Sequence, residues 1–247
     1  MIDISNVYHN YLRHLESKRE RDTGEFHASG AGSCYRKQMY SYYGYPTDEK
    51  DMKSYMILDL GTVVHKRIQD SLKWWHGLQE QDHHMYIEDK ISLPMLSLVG
   101  SYDVGIHTTD EKFYLWDIKT AAAYKWQTKF GLKKNRKPMS DTNYKLQLGT
   151  YAMGIREKYK PEKLYMYLYW YNKNTSQVRE QIVAPEWEEK AHEYWTNLNE
   201  ILRWFPDGVD FEKSEELEPG ISYGVPFQDW ECKYCQFNSI CPTTINK

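Results

Sequence analysis

Residues 98–121 read LVGSYDVGIHTTDEKFYLWDIKTA, and this stretch indicates how the chain folds. Two strand-like runs flank the polar segment HTTDEK, which predicts a hairpin with its turn centred near Asp110. Residues two apart on a strand share a face, so Asp117 and Lys119 point the same way. Because Asp103 and Asp117 each lie seven positions from the turn centre, we expect their Cβ atoms to be about 5 Å apart across the strands.

Two carboxylates on a largely apolar strand pair are unfavourable unless a cation compensates them. An Asp–Lys ion pair on a solvated face is the simpler alternative. It accounts for Lys119, but not for Asp103 among Val99, Tyr102 and Val104. The segment therefore favours a divalent metal site bridged by Asp103 and Asp117.

Outward from this hairpin, apolar periodicity predicts helices and strands in alternation. A basic loop is expected between the hairpin and the helix that starts near residue 140. The order of elements indicates an α/β fold with a central mixed β-sheet flanked by helices. Helices are predicted at 3–18, 34–43, 52–75, 140–159 and 185–205, and strands at 85–93, 96–106, 112–120, 164–171 and 177–183.

The four cysteines form a second pattern. Cys232, Cys235 and Cys241 make a C-x₂-C-x₅-C run, and Cys34 lies about two hundred residues earlier. A metal bound by all four would join the N- and C-terminal segments. Such thiolates suit tetrahedral zinc or an iron–sulfur cluster. Unligated thiols are a weaker alternative, and disulfides are weaker still because nothing marks the chain as secreted.

Composition narrows the class of protein. The 247 residues carry a formal net charge of −3, which argues against a uniformly basic nucleic-acid binder. No run approaches the ~20 apolar residues of a membrane span, and the first twenty are not a signal segment. We expect a soluble protein in a reducing, cytoplasmic compartment.

One local segment is nevertheless basic. It follows the hairpin, contains no acidic residue and interleaves cations with aromatic rings, which suits binding to a single strand of nucleic acid. A solvated loop is the alternative, and the position beside the carboxylates favours DNA contact. The predicted contacts are Lys125, Trp126, Lys129, Lys133, Lys134, Arg136 and Lys137.

Two predicted helices add weaker candidates. His65 lies on an apolar helical face, where a histidine is more often a hydrogen-bonded core residue than a ligand. Gln147 and Tyr151 are i, i+4 neighbours and reach one point, although such a pair is ordinary on its own.

In combination, these residues resemble a known family. The order His65, Gly100-x-x-Asp103, Asp117-Ile-Lys119 and Gln147-x₃-Tyr151 resembles the RecB-like branch of the PD-(D/E)XK nuclease superfamily. The cysteine pattern is similar to that of its cluster-bearing members: the AddB nuclease domain, the CRISPR-adaptation Cas-four family and phage exonucleases. The acidic residue before x-Lys is often Glu there and is Asp117 here. Glu88 resembles a glutamate that often precedes G-x-x-D, and we expect it to support the site rather than ligate.

The resemblance implies a restriction-endonuclease-like core within a single nuclease domain, 1–247. Residues 51–205 would form the core, and 1–50 and 206–247 the segments joined by a 4Fe–4S cluster. It implies that Lys119 orients or activates water and that Gln147 and Tyr151 position water or DNA. The implied Mg²⁺ or Mn²⁺ ligands are His65, Asp103, Asp117 and the carbonyl of Ile118, and the implied cluster ligands are Cys34, Cys232, Cys235 and Cys241.

The implied activity is a metal-dependent DNA exonuclease acting on single-stranded or frayed ends in recombination, repair or phage DNA processing. A structure-specific endonuclease of the same fold is one alternative. Two alternatives come from a different functional class, the binding proteins. One is a DNA-end-binding subunit with little nuclease activity, and the other is a zinc-clipped binding protein. The expected partners are DNA and a recombinase, helicase or CRISPR integrase, in the cytoplasm of a prokaryotic or phage-infected cell.

Overall fold

The predicted hairpin forms the centre of the fold. In the computed structural model, β3 (Leu98–Thr108) and β4 (Lys112–Ala121) are antiparallel. Val104 lies opposite Trp116 and His107 opposite Phe113, a register centred on residue 110 as predicted. The ladder ends at Val104 and Trp116, so Asp103 and Asp117 come next, where the two strands separate. The structure describes residues 2–18, 23–78, 82–132, 139–208 and 230–241.

A mixed six-stranded sheet grows from this hairpin, which confirms the predicted architecture. On one side, β3 pairs antiparallel with β2 and, at its start, parallel with the short β1. On the other side, β4 pairs parallel with β5, which pairs antiparallel with β6. The parallel pair requires a crossover connection, which the helices between these strands provide. These further strands are β1 (Phe26–His27), β2 (His83–Leu93), β5 (Lys163–Asn172) and β6 (Val178–Val183).

Helices flank the sheet and largely follow the predicted pattern. The side chain of Asp51 caps the longest of them by accepting a hydrogen bond from the Ser54 backbone N–H at 2.7 Å. No helix in the described part of the chain has both the length and the apolar character needed to cross a membrane. The helices are α1 (Ile4–Ser17), α2 (Tyr35–Tyr42), α3 (Met52–His76), α4 (Ala123–Lys129), α5 (Thr142–Tyr159), α6 (Glu186–Trp204) and α7 (Trp230–Lys233).

Helix α4 corrects one prediction. The basic segment after β4 was expected to be a loop, but the seven residues Ala123–Lys129, which include its beginning, are helical. Trp126 anchors this turn because its ring is buried, with 2% of its surface exposed, and packs 4.6 Å from the ring of Phe130. The guanidinium of Arg179 on β6 lies 5.7 Å from the centre of the same ring, so tertiary packing outweighs a composition that is typical of loops.

The core lies between the sheet and the α5–α6 pair. Gly149 allows these two helices to approach closely, since a Cβ on it would lie 2.0 Å from the Trp187 carbonyl oxygen. The N-terminal segment shares this core through the buried side chains of Phe26, Tyr35 and Met39. Residues before α3 are therefore packed against the sheet that carries the two aspartates.

Candidate active site

The two aspartates lie at the point where β3 and β4 separate. Asp103 Oδ2 accepts a hydrogen bond from the backbone N–H of Ile118 at 2.5 Å. The same oxygen lies 3.6 Å from Nδ1 of His65, which reaches the site from α3. Asp117 Oδ2 lies 2.7 Å from Nζ of Lys119. The fold therefore brings together residues that are more than fifty positions apart in sequence.

Asp117 is the electrostatic centre of the site. Only 2% of its surface is exposed, and burial raises its pKa to about 6, with a further contribution from the charge of Asp103 and an opposing one from Lys119. Its buried Oδ2 forms an ion pair with the Lys119 ammonium, 2.7 Å away. A buried carboxylate that experiences the charge of a second carboxylate suits an oxygen-preferring cation such as Mg²⁺ or Mn²⁺.

Lys119 connects the carboxylates to helix α5. Its ammonium donates to Oε1 of Gln147 at 2.8 Å, and Nε2 of Gln147 donates to the hydroxyl of Tyr151 at 2.7 Å. Burial lowers the pKa of Lys119, but Asp117 and Asp103 outweigh this effect, so the pKa lies above its ordinary value. Burial, followed by the charge of Asp117, raises the pKa of Tyr151. The predicted Gln–Tyr pair therefore contacts the predicted lysine.

Two residues that contact Glu88, Gln69 and Ser101, were not identified from the sequence. Gln69 lies one turn after His65 on α3, is buried, and donates to Glu88 Oε1 at 2.5 Å and to the Asp103 carbonyl at 3.3 Å. Ser101 donates to the other oxygen of Glu88 at 3.4 Å. The i, i+4 spacing of His65 and Gln69 was the signal that could have identified Gln69. Glu88 therefore contacts Gln69 and Ser101, and its supporting role stays a prediction.

The backbone at Glu88 is unusual. Its φ is 53°, in the left-handed region, although it lies within a strand. In the register of β2 and β3 it faces Asp103, and the two are left out of a ladder that pairs Ile87 with Val104 and Asp89 with Tyr102. This local break, of a kind that costs about 1–3 kcal/mol, coincides with the turn of Asp103 toward Ile118 and His65.

Gly100 explains one motif position by close packing. A Cβ there would lie 2.6 Å from Cβ of Ala28 and 3.1 Å from the ring of Tyr151. The first residue of G-x-x-D and the last of Q-x₃-Y are therefore packed together. Glycine is required here by space and not by a positive φ.

The cysteine-bearing segments also lie together. Arg36, buried in α2, donates to Sγ of Cys241 at 3.7 Å, and the ring of Tyr40 packs 5.1 Å from that of Phe237. Burial raises the pKa of Cys34 to about 11, and Cys235 and Cys241 lie near enough to raise it further. These four thiols are chemically suited to a soft metal, and binding must displace their protons.

Neither the carboxylate site nor the cysteine-bearing segments have a complete metal-coordination shell among the described residues. Among the described residues, no group of three or more His, Cys, Asp or Glu side chains is positioned to hold a metal ion. At the carboxylates, protein donors take up the ligand atoms, since Asp103 contacts the Ile118 N–H and Asp117 contacts Lys119. Assignment of His65 and of the Ile118 carbonyl as ligands stays a prediction.

The predicted DNA-binding segment divides into three parts. Trp126 is buried, so the prediction that its ring stacks on a base does not hold in this structure. Lys129 is also unsuited to a phosphate contact, because its side chain is 8% exposed and pairs with Asp141. Lys125 is half-buried and lies beside the site. The remaining predicted contacts, Lys133, Lys134, Arg136 and Lys137, lie outside the described residues.

Acidic strand residues beside a lysine, on a mixed sheet flanked by helices, form the type of site found in metal-dependent nucleases. The family model of the PD-(D/E)XK nuclease superfamily matches residues 46–242. The chain belongs to this superfamily of nucleases, whose members use divalent metals such as Mg²⁺ or Mn²⁺. The match includes the three C-terminal cysteines and begins after Cys34.

A solved structure shows the same fold at low sequence identity. The crystal structure of SSO0001 aligns with a TM-score of 0.56 and 16% identity, over 98% of this chain and 96% of that chain. A protein from Eubacterium rectale, provisionally named an exonuclease, aligns with a TM-score of 0.47 and 15% identity, over 82% of this chain and 86% of that one. No curated protein matches the chain.

Proposed function

We propose that the protein is a divalent-metal-dependent deoxyribonuclease, and specifically an exonuclease acting on single-stranded or frayed DNA ends. The observation that carries this proposal is the contact chain from Asp117 through Lys119 and Gln147 to Tyr151, beside Asp103. It supports phosphodiester hydrolysis because it joins metal-binding oxygens, a fixed cation and a polar positioning group within one partly buried site.

In this proposal, Asp103 and Asp117 hold the ion, with His65 as a nitrogen ligand and the Ile118 carbonyl as a further oxygen. A divalent ion bound there would polarise the scissile phosphate and lower the pKa of a bound water. Lys119 lies against Asp117 and can offset negative charge that develops on the phosphate. Gln147 fixes the Lys119 ammonium by accepting its hydrogen bond, and Tyr151 fixes Gln147 in turn.

We propose, on the resemblance described above, that Cys34, Cys232, Cys235 and Cys241 bind a 4Fe–4S cluster within one domain spanning residues 1–247. The packing of α2 against the C-terminal segment supports a shared site. Zinc is the competing metal. Iron, sulfide and zinc analysis of anaerobically purified protein decides between them, since stoichiometric zinc without iron contradicts the cluster.

The test of activity uses end-labelled single strands blocked at one end or the other, incubated with Mg²⁺ or Mn²⁺. We expect cleavage from a free end only, and no cleavage of circular single strands. Cleavage of circles indicates the endonuclease instead, and metal-dependent binding without cleavage indicates an end-binding subunit.

Asp117→Asn should remove cleavage, and the matched control is Asp110→Asn. Asp110 lies at the exposed turn of the same hairpin, where it pairs with Lys112. The same chemical change at this position should leave the rate unaltered. Equal rates for the two variants would contradict the assignment of Asp117.

A further inference from the structure

Two lysines from separate segments lie together at one edge of the site. Lys125 is on α4, and Lys173 is in the turn between β5 and β6. Asn174 joins these segments, because its Oδ1 accepts a hydrogen bond from the Ala123 backbone N–H at 2.7 Å. Lys173 also donates its backbone N–H to the Ala121 carbonyl at 2.8 Å. These contacts hold the two segments together, and the charge of Lys125 is close enough to influence Lys173.

This lysine pair continues directly from the candidate active site. Nζ of Lys119 and Nζ of Lys125 each lie 4.9 Å from the centre of the Tyr144 ring, so they are within about 10 Å of each other. Lys125 also donates to the hydroxyl of Tyr144. The ammonium groups of Lys119 and Lys125 therefore share the Tyr144 ring, and Lys173 lies on the turn that contacts the start of α4.

The pair is electrostatically uncompensated within the described part of the chain. Nearby lysines have carboxylate partners, since Lys129 pairs with Asp141 and Lys119 with Asp117. Neither Lys125 nor Lys173 forms a salt bridge with a described residue. Burial lowers the pKa of Lys173, and the charge of Lys125 lowers it further. Two half-buried like charges repel each other, so an anion between or beside them would stabilise both.

We propose that Lys125 and Lys173 bind successive backbone phosphates of the nucleic-acid strand next to the phosphate cleaved at Asp117. This assignment rests on the proposed nuclease function. Because the ammonium groups of Lys119 and Lys125 lie within about 10 Å of each other, they can contact neighbouring phosphates of one strand. The ligand class is the sugar–phosphate backbone, and the contact carries no base specificity.

A purely structural role for Lys173 is the competing explanation. Its Nζ donates to the Ile57 carbonyl of α3 at 3.2 Å, and this contact could serve only to hold the helix against the turn. The two roles differ in their dependence on salt. A phosphate contact releases counterions when it forms, whereas a contact inside the protein does not.

The test measures binding of a fluorescein-labelled single strand by anisotropy over a series of KCl concentrations, in an Asp117→Asn background that does not cleave. Lys125→Gln and Lys173→Gln should each reduce the salt slope by about 0.7, which corresponds to about fivefold weaker binding at 0.1 M salt. The double variant should lose about twice that slope. The matched control is Lys163→Gln, at the exposed opposite end of β5, which should keep the full slope.

Thermal unfolding distinguishes a structural role of Lys173 from a phosphate contact. Lys173→Arg keeps the charge and a donor, so it should keep both the slope and the melting temperature. We call the proposed pair of phosphate contacts, Lys125 and Lys173, the phosphate clamp. If Lys125→Gln keeps the full slope and Lys173→Gln changes only the melting temperature, the phosphate clamp is refuted.

The outcomes also separate this inference from the proposed function. Wild-type protein that cleaves DNA, with a double variant whose slope matches that of Lys163→Gln, overturns the clamp and leaves the nuclease standing. Wild-type protein that binds but never cleaves, with a reduced slope in the double variant, overturns the nuclease and leaves the clamp standing.

Discussion

Metal binding at the carboxylate site should depend strongly on pH between 7 and 5, because Asp117 must lose its proton to act as a ligand. Burial raises its pKa to about 6. The group is therefore about nine-tenths ionised at pH 7 and about one-tenth ionised at pH 5. Protonation competes with the ion, so affinity falls as pH falls. An ordinary aspartate, with a pKa of 3.8, would remain mostly ionised over this range.

The apparent dissociation constant for Mn²⁺ should be about tenfold larger at pH 5 than at pH 7, a loss of about 1.4 kcal/mol of binding free energy. His65 is also a predicted ligand, so the measurement is made in a His65→Asn background. Electron paramagnetic resonance of free Mn²⁺ gives the dissociation constant at each pH.

Adding Asp117→Asn should weaken binding and remove most of the pH dependence. A His65→Asn protein whose Mn²⁺ affinity changes less than about twofold from pH 7 to pH 5 would refute either the raised pKa or the role of Asp117.

Three further predictions concern other parts of the chain. Lys119→Met should reduce the cleavage rate by about 10²–10³-fold while Mn²⁺ binding persists, and wild-type single-turnover rates would contradict its role. Gly100→Ala should lower the free energy of unfolding by about 1–3 kcal/mol in urea titrations, because its Cβ would press on Ala28 and the Tyr151 ring; an unchanged midpoint means that this packing relaxes freely. Cys34→Ser should lower both iron content and melting temperature, because it opens a long-range link. Full iron occupancy in this variant rules out Cys34 as a cluster ligand.

Much of the fold followed from local sequence. The hairpin centre at Asp110 was predictable because polar turn residues separate two strand-like runs, and strand pairing then fixes the register. The mixed sheet and the long helices followed from apolar periodicity. These features depend on neighbours along the chain, which the sequence displays directly.

Contacts between distant segments could be expected only through resemblance to a family. Composition and spacing alone gave no reason for Lys119 to meet Gln147, or for His65 to face Asp103. The resemblance to the family motifs predicts that these residues converge, and the structure brings them into contact. The helix at Ala123–Lys129 was missed because the contact that stabilises it, burial of Trp126, is tertiary.

The sequence by itself thus determined most of the secondary structure and the register of the central hairpin, because these depend on residue type and spacing. Only the tertiary structure decided which charges are compensated. The tertiary structure buried Trp126 and paired Lys129 with Asp141. It also brought Lys173, in a turn almost fifty residues later in the chain, near Lys125. The physical reason is that burial and electrostatic interaction depend on distance in space, which sequence separation does not specify.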